Sequence, residues 1–280
     1  MQRSNYLLID GVLRKGVIAE LYGRDEEIEV EPLYLGTRWQ DAHDLGPILV
    51  AVSPQSSLLS EARSNVTWLS CASFLLSDRP LQEVADHLRE FICARDGAGS
   101  QSLLRFADPL VTWHWLASYA PSQYAHLLGP ITEWEVALVA AKWLPHTEPQ
   151  WNSFTAKDHP PRLFDRTYID ERQEAALQQA YHWRLKERLH NWLQTYATES
   201  LQQRRLLDQG GWLDGRLQSA EQAGLISERS IAIWAMLSLE QGDDFASNPD
   251  TPYSQWKARE PQALGLPAEV NLQTFFNEHA

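Results

Sequence analysis

The chain has 280 residues, 44% of them hydrophobic, and a net charge of −13 at pH 7. That is enough apolar side chain for one large packed domain or for two ordinary ones. Because an acidic protein repels phosphate backbones and anionic lipid, the charge argues against nucleic acids and membrane surfaces as partners.

The first third of the chain predicts short strands that alternate with short helices. Residues 6–9 and 48–52 are apolar runs of strand length that end in turn residues. Val17–Tyr22 repeats apolar residues at helical spacing, and Gly23 ends this helix. The acidic segment 25–31 is predicted to be a loop.

Nothing in the sequence predicts export or a membrane span. The apolar run 7–9 is too short for a secretory signal because Asp10 follows it at once, and no stretch approaches the roughly 18 apolar residues of a membrane helix. Cys71 and Cys93 are predicted to be buried thiols, since no CxxC motif or paired histidine accompanies them. We therefore expect a soluble, cytoplasmic protein.

The central stretch, residues 74–109, predicts a strand, an amphipathic helix, a glycine turn and a second strand at 103–106. Asp78 is expected to cap the helix, with Pro80 tolerated in its first turn. The apolar stripe of this helix comprises Leu81, Val84, Ala85, Leu88, Phe91 and Ile92. Another helix is expected to begin at Asp108, which precedes a proline.

The pattern changes near residue 160. Residues 131–140 favour a strand, and the proline-rich stretch 143–161 indicates a connection that contains a strand and ends the first domain. Beyond it, apolar residues recur at helical spacing. Asp170 is expected to cap a long helix, and further helices are predicted at 200–209, 212–223, 227–242 and 272–276. The apolar stripe of the long helix comprises Leu177, Tyr181, Leu185, Leu189, Trp192 and Tyr196.

These elements predict an α+β protein with two domains. Residues 1–162 are expected to form an N-terminal mixed α/β lobe around a central sheet, in which parallel and antiparallel pairs are mixed. Residues 163–280 are expected to form an all-α C-terminal lobe.

A search for reactive groups finds no catalytic residue, metal site or cofactor motif. The glycine-rich turn 96–100 lacks the lysine and the helix that phosphate binding requires. The nine histidines are scattered and are predicted to be solvated on the surface. The carboxylate clusters 25–27 and 243–244 lie in predicted loops, where solvated acidic clusters are the commoner explanation.

Twelve tryptophans are an unusually large number for this length. Tryptophan serves both cores and interfaces, because it combines a large apolar surface with one N–H donor. For any single tryptophan a place in the core is the commoner explanation. The candidates for partner binding are Trp39, Trp134, Trp143, Trp151 and Trp183.

Six segments of the chain resemble a known family when they are taken in order. They are LLIDG (7–11), EPLYLGT (31–37), LGPILV (45–50), SFLLSDRPLQEVADHLREF (73–91), LLRFADPLV (103–111) and LLGPITEW (127–134). Their order and spacing resemble the type VI secretion effector adaptors, the Tap/Tec-type chaperones, which share a conserved domain of unknown function numbered 4123. The resemblance covers residues 5–140. The helical remainder, with AGLISERSIAIWAMLSLEQG (223–242), is similar to the more variable second lobe of these proteins.

The resemblance implies a bacterial protein without enzymatic activity or cofactor. Such an adaptor binds one toxic effector in the producing cell, through a PAAR-type or N-terminal segment, and helps to load it onto the VgrG spike protein. We expect an apolar surface, or a cleft between the lobes, to cover the effector segment, with aromatic residues at its centre and acidic residues at its rim. Two alternatives stay open: a hydrolase of unrecognised type that uses a carboxylate and a distant histidine, and a structural scaffold in a larger assembly.

Overall fold

A computed structural model gives the fold of residues 5–53, 55–144, 148–156, 163–204, 206–260 and 265–279. The chain divides into two units: unit 1 comprises Met1–Ala140 and Thr147–Ala180, and unit 2 comprises Ala141–His146 and Tyr181–Ala280. All strands of the described residues lie before residue 156, and the elements from Glu171 onward are helices. The predicted α+β class is confirmed.

Unit 1 contains a six-stranded sheet with the strand order β2-β3-β1-β4-β7-β8. Its strands are β1 (Tyr6–Asp10), β2 (Ile28–Pro32), β3 (Pro47–Val52), β4 (Ala72–Leu76), β7 (Glu133–Leu138) and β8 (Gln150–Thr155). A separate hairpin consists of β5 (Cys93–Arg95) and β6 (Gln101–Leu103). All pairs in the large sheet are antiparallel, so the expected mixture of parallel and antiparallel pairs is wrong. The reason is that β1 lies between β3 and β4, which are parallel to each other but not neighbours.

Helices cover both faces of this sheet. They are α1 (Val17–Tyr22), α2 (Leu58–Ser64), α3 (Val66–Leu69), α4 (Leu81–Arg89), α5 (Pro109–Ala117) and α6 (Tyr124–Leu128). Leu7 and Phe74 face one side, in a core cluster with side chains of α1, α2 and α3. On the other side Trp134 of β7 packs against Trp115 of α5, with ring centroids 6.4 Å apart. Strand β1 is therefore buried on both faces, which explains its uninterrupted apolar sequence.

The central helix α4 forms where it was predicted, but it begins without the predicted cap. Pro80 occupies the N-cap position in an extended conformation, and the carboxylate of Asp78 is exposed two residues earlier. The Ser77 hydroxyl accepts a hydrogen bond from the Arg79 N–H instead, at 3.1 Å. The predicted stripe is confirmed for Val84, Ala85, Leu88, Phe91 and Ile92, which are all buried.

Two other predictions in unit 1 are wrong in position. Strand β2 occupies Ile28–Pro32 and so overlaps the segment 25–31 that was predicted to be an acidic loop, because Val30 and Pro32 pair with β3. The strand predicted at 103–106 is β6, Gln101–Leu103, and Phe106 belongs to the buried turn before α5. In both cases the pairing partner decides where the strand lies, and the partner is distant in sequence.

The second part of the chain is helical, as predicted. Its helices are α7 (Glu171–Tyr196), α8 (Thr198–Gln203), α9 (Gln209–Gln222), α10 (Glu228–Gln241), α11 (Pro252–Arg259) and α12 (Ala268–His279). The caps predicted for α7 and α10 are confirmed: Asp170 accepts from the Arg172 N–H at 2.8 Å, and Ser227 accepts from the Ser230 N–H at 3.3 Å. The helix predicted at 200–209 ends earlier, at Gln203, and the next helix begins before the predicted residue 212, because Asp208 caps α9. Helix α11 was not predicted.

The buried face of α7 in unit 2 differs from the predicted stripe. The predicted stripe is confirmed at Leu189, which is buried, but Tyr181 and Tyr196 are exposed, and Lys186 and Leu193 are buried although they lie outside it. Residues spaced four apart advance by about 40° around a helix at each step, because four residues turn it by 400°. The predicted stripe steps by four three times between Leu177 and Leu189, so Tyr181 is rotated by about 80° from the position at which Leu189 is buried.

Candidate functional site

Residues of several motif segments meet at one end of the sheet in unit 1. Asp10 ends β1, Tyr34 follows β2, and Gly46 precedes β3. Because these strands are antiparallel neighbours, their connections lie at the same end of the sheet. Arg105 and Asp108, from the turn before α5, complete what we call the motif cluster.

Asp10 is the centre of the motif cluster. Its side chain is buried, and its Oδ1 accepts hydrogen bonds from the N–H groups of Val12 at 2.9 Å and Leu13 at 3.0 Å. Its Oδ2 accepts from Nη2 of Arg105 at 2.8 Å. Burial raises the pKa of Asp10, and the Arg105 guanidinium opposes this shift. Since both carboxylate oxygens are engaged by the protein, the pair fixes the loop after β1.

The remaining members of the motif cluster also order the backbone. The Asp108 carboxylate is buried and caps α5, because its Oδ1 accepts from the Leu110 N–H at 3.0 Å. The Tyr34 ring lies against Gly46, where a Cβ atom would come within 2.5 Å of a ring carbon. Only glycine fits at this position without displacing the ring. This steric limit explains the glycine of the segment 45–50.

Trp39, one of the predicted partner-binding residues, lies beside the motif cluster. Its ring is half-buried, and its centroid is 5.8 Å from that of Tyr34. The Arg38 guanidinium carbon lies 4.1 Å from the centroid of the Trp39 ring, a cation–π distance. Trp39 therefore offers part of its surface to solvent next to an exposed cation.

Trp134 and Trp151 have different surroundings on neighbouring strands. Trp134 is fully buried, and its Nε1 donates to the Ser73 hydroxyl at 2.9 Å, so its role in this structure is packing. Trp151 lies on the edge strand β8 and is 43% exposed, with its ring 5.7 Å from Phe74. The partner-binding role of Trp151 stays a prediction.

Trp143 and Trp183 are brought together in unit 2, with ring centroids 5.5 Å apart. Trp143 is buried between this ring, the ammonium group of Lys186 at 5.1 Å and the first turn of α9 at Gly210. Trp183 is half-buried against the same core. Trp143 thus serves packing, and a change at Trp183 would also disturb packing.

A feature that the sequence analysis missed is an apolar groove between α7 and α10, the α7/α10 groove. Its volume is about 390 Å³. At one rim, Arg188 and Glu228 form a two-pronged ion pair with N–O distances of 2.9 and 2.7 Å, and Arg229 lies next to it. The apolar lining consists of Leu185, Leu189, Trp192, Ile231 and Ala232. Periodicity assigns these residues to helix faces, but it does not indicate that the two faces leave a groove.

Two of the histidines predicted on the surface, His87 and His190, are buried. The His87 Nε2 lies 3.0 Å from the Leu127 carbonyl oxygen, which can only accept, so Nε2 carries the proton. Its Nδ1 faces Nη1 of Arg166 at 3.3 Å. Burial and the Arg166 charge lower the pKa of His87 to about 4.

The low pKa of His87 predicts a loss of stability in acid. Between the ordinary histidine pKa of about 6.5 and the folded value, the unfolded chain binds a proton that the native state does not. The free energy of unfolding should therefore fall as the pH drops from 7 to 4, by up to about 3 kcal/mol from this group.

Urea unfolding curves at pH 7, 5.5 and 4.5 check this prediction. His87→Gln should lose less stability on acidification than the wild type, whereas His43→Gln, at an exposed position, should follow the wild type. Equal pH slopes for the wild type and His87→Gln would contradict the assignment.

Free cysteines and acidic groups offer no further site of known type. Cys71 is buried, as predicted, and burial raises its pKa to about 11. Cys93 is only half-buried. In the described part of the chain, no three histidine, cysteine or acidic side chains are placed to hold a metal ion. The helices of that part include none that is long and apolar enough to cross a membrane.

Comparison with known proteins identifies one domain. The family model described as a domain of unknown function (DUF4123) matches residues 5–126. No curated protein and no solved structure matches the chain. The match includes the whole motif cluster and excludes the α7/α10 groove. It confirms the conserved domain over five of the six motif segments, since the segment 127–134 lies outside the match, and it assigns no activity to the domain.

Proposed function

We propose that the chain is an effector-specific adaptor, which holds a cognate type VI secretion toxin in the producing cell and helps to load it onto the VgrG spike. Two observations from unit 1 support the class: the six motif segments resemble such adaptors, and the matched domain covers five of them. The observation that carries the proposal is the α7/α10 groove of unit 2.

The groove has the properties of a site for an apolar protein segment. Its volume lies within the range of ligand-binding pockets, and its lining is aliphatic and aromatic. Trp192 supplies the kind of large side chain that dominates binding energy at interfaces. An amphipathic effector segment would place apolar side chains in the groove and polar ones against Arg188 and Glu228 at the rim.

The two units would then have different tasks. In unit 1 the polar atoms of the motif cluster form hydrogen bonds that fix loops, so their role is structural. The groove lies outside the matched residues 5–126. The resemblance implies that this helical part is the more variable lobe of such adaptors. Effector choice is accordingly assigned to unit 2.

Co-purification with the toxin encoded beside this gene tests the proposal. The tagged chain should retain the toxin in a defined complex, and deletion of the gene should abolish secretion of the toxin and lower its solubility. A toxin that stays soluble and is secreted normally without this chain would rule out the adaptor role. A 1:1 complex with the toxin would also exclude a scaffold as the main role.

Removal of the aromatic side chain from the groove should weaken the complex. We expect Trp192→Ala to raise the dissociation constant for the toxin about 30-fold, which corresponds to about 2 kcal/mol for a hot-spot tryptophan. Tyr181→Ala is the matched control, since Tyr181 is an exposed aromatic residue of the same helix that does not line the groove. Isothermal titration calorimetry measures both, and equal losses for the two variants would exclude the groove as the site.

The hydrolase alternative draws support from the raised pKa of the Asp10 carboxyl. A catalytic carboxylate needs an oxygen that is free to meet a substrate. Both oxygens of Asp10 are already bonded to Val12, Leu13 and Arg105, and the side chain is buried. The adaptor role is therefore the better supported of the two.

A further inference from the structure

Around the motif cluster, unit 1 exposes apolar side chains next to a cation. Four of them are between 39% and 43% exposed. Exposed apolar side chains that lie side by side are typical of interaction surfaces, whereas scattered ones are not. The set comprises Val12, Leu35, Arg38, Trp39, Leu45 and Leu103, and we call it the Arg38 surface.

Backbone and ring contacts join the loops that carry the Arg38 surface. The Gly11 N–H donates to the Gly46 carbonyl at 3.0 Å, which places the loops of Val12 and Leu45 side by side. The contact of Tyr34 with Gly46 and with the Trp39 ring brings the loop 33–39 to the same place.

The hairpin β5–β6 supplies the remaining member. The Arg38 Nη2 lies 3.2 Å from the Cys93 sulfur, and Cys93 is paired with Leu103 across the hairpin. Residues directly opposite each other in a two-stranded ladder have side chains on the same face, so Leu103 lies beside Arg38.

The charge of Arg38 indicates what the surface would bind. Arg89 and Arg105 of the same unit form ion pairs with carboxylates, whereas Arg38 has no carboxylate within ion-pair distance among the described residues. Its exposed guanidinium lies over the Trp39 ring, which holds it in place. A guanidinium held in this way matches the planar, two-oxygen geometry of a carboxylate.

We propose that the Arg38 surface binds a protein segment in which one aspartate or glutamate carboxylate is flanked by apolar side chains. The carboxylate binds Arg38, and the apolar side chains cover Leu35, Leu45 and Leu103. The loops are fixed in advance by the motif cluster, which lowers the entropy cost of binding. This inference is independent of the secretion role, because it concerns a surface of unit 1 and not the α7/α10 groove.

A displayed library of random dodecapeptides, selected on the full-length wild-type chain, provides the probe. We expect the selected peptides to share one acidic residue between apolar ones. A selected peptide is then synthesised together with its counterpart in which the acid is replaced by the amide. Fluorescence anisotropy should show at least tenfold tighter binding of the acidic form to the wild type.

In Arg38→Gln the acidic peptide and its amide counterpart should bind with about equal affinity, because the variant lacks the partner of the carboxylate. The matched control is Arg79→Gln, since Arg79 is also an exposed arginine of unit 1 but follows β4 at the opposite end of the sheet. It should retain the full preference. Both variants are at exposed positions, and urea curves equal to that of the wild type establish that they fold.

Three results would overturn the inference. They are a selection that yields no binding peptide, selected peptides without acidic residues, and an unchanged preference in Arg38→Gln. Sedimentation velocity adds a fourth: a wild-type dimer that Arg38→Gln converts to monomer would assign the surface to a second copy of this chain.

Discussion

Leu88→Asp is expected to abolish the cooperative folding of unit 1. Leu88 is fully buried in α4, and its neighbours along the stripe, Val84, Phe91 and Ile92, are also buried. An aspartate there would place an unpaired charge in an apolar core, at a cost of more than about 4 kcal/mol. This loss is comparable to the whole stability of a typical domain, about 5–15 kcal/mol.

Urea unfolding followed by circular dichroism measures this effect. The matched control is Gln82→Asp, which puts the same side chain at an exposed position in the first turn of the same helix. There an acidic residue faces the positive end of the helix dipole, so the change in stability should stay within about 0.5 kcal/mol. If Leu88→Asp folded like the wild type and lost only the binding of a partner, α4 would be part of an interface and not of the scaffold.

The sequence predicted features that depend on neighbours along the chain. Asp170 and Ser227 cap their helices because the N–H groups they satisfy lie two or three residues away. The uninterrupted apolar run of β1 predicted a strand correctly, because a strand buried on both faces requires it. The stripe of α4 has the same local origin.

Features that depend on distant partners could not be predicted in this way. Strand β2 was predicted to be a loop, because its position depends on pairing with β3, which comes later in the chain. His87 gives no sign of burial in its own segment, since the groups that enclose it, Leu127 and Arg166, are 40 and 79 residues away. The antiparallel order of the sheet follows from the insertion of β1 between two later strands.

The candidate sites illustrate the same division. The motif segments were recognised from their residue types and order. That they meet at Asp10 depends on the pairing of β1 with β3 and of β2 with β3, which the sequence does not indicate. The α7/α10 groove requires two helix faces about 40 residues apart in the chain. Trp39 was selected for its residue type, and its neighbour Arg38 was not, because the isolation of Arg38 from carboxylates is visible only in three dimensions.

Arg105→Met should destabilise unit 1 strongly, because it breaks the ion pair at the centre of the motif cluster. It keeps much of the side-chain volume but leaves the buried carboxylate of Asp10 without its cation. Breaking a buried ion pair on one side costs about 3–5 kcal/mol, and we expect the lower end because the Arg105 side chain is 35% exposed. The double variant Asp10→Asn/Arg105→Met should recover at least half of this loss, since the amide oxygen can still accept from Val12 and Leu13.

The pH dependence separates this cause from a loss of packing. Burial already raises the pKa of Asp10, and removal of the Arg105 charge, which lowers it, should raise it further. Above the ordinary aspartate pKa, the native state of the variant then binds a proton that the unfolded chain does not, so its stability rises as the pH falls toward 4. Urea curves at pH 7.5, 6 and 4.5 should therefore show a gap to the wild type that narrows in acid. A gap that stays constant with pH would mean that Arg105 contributes through its methylene groups and not through its charge.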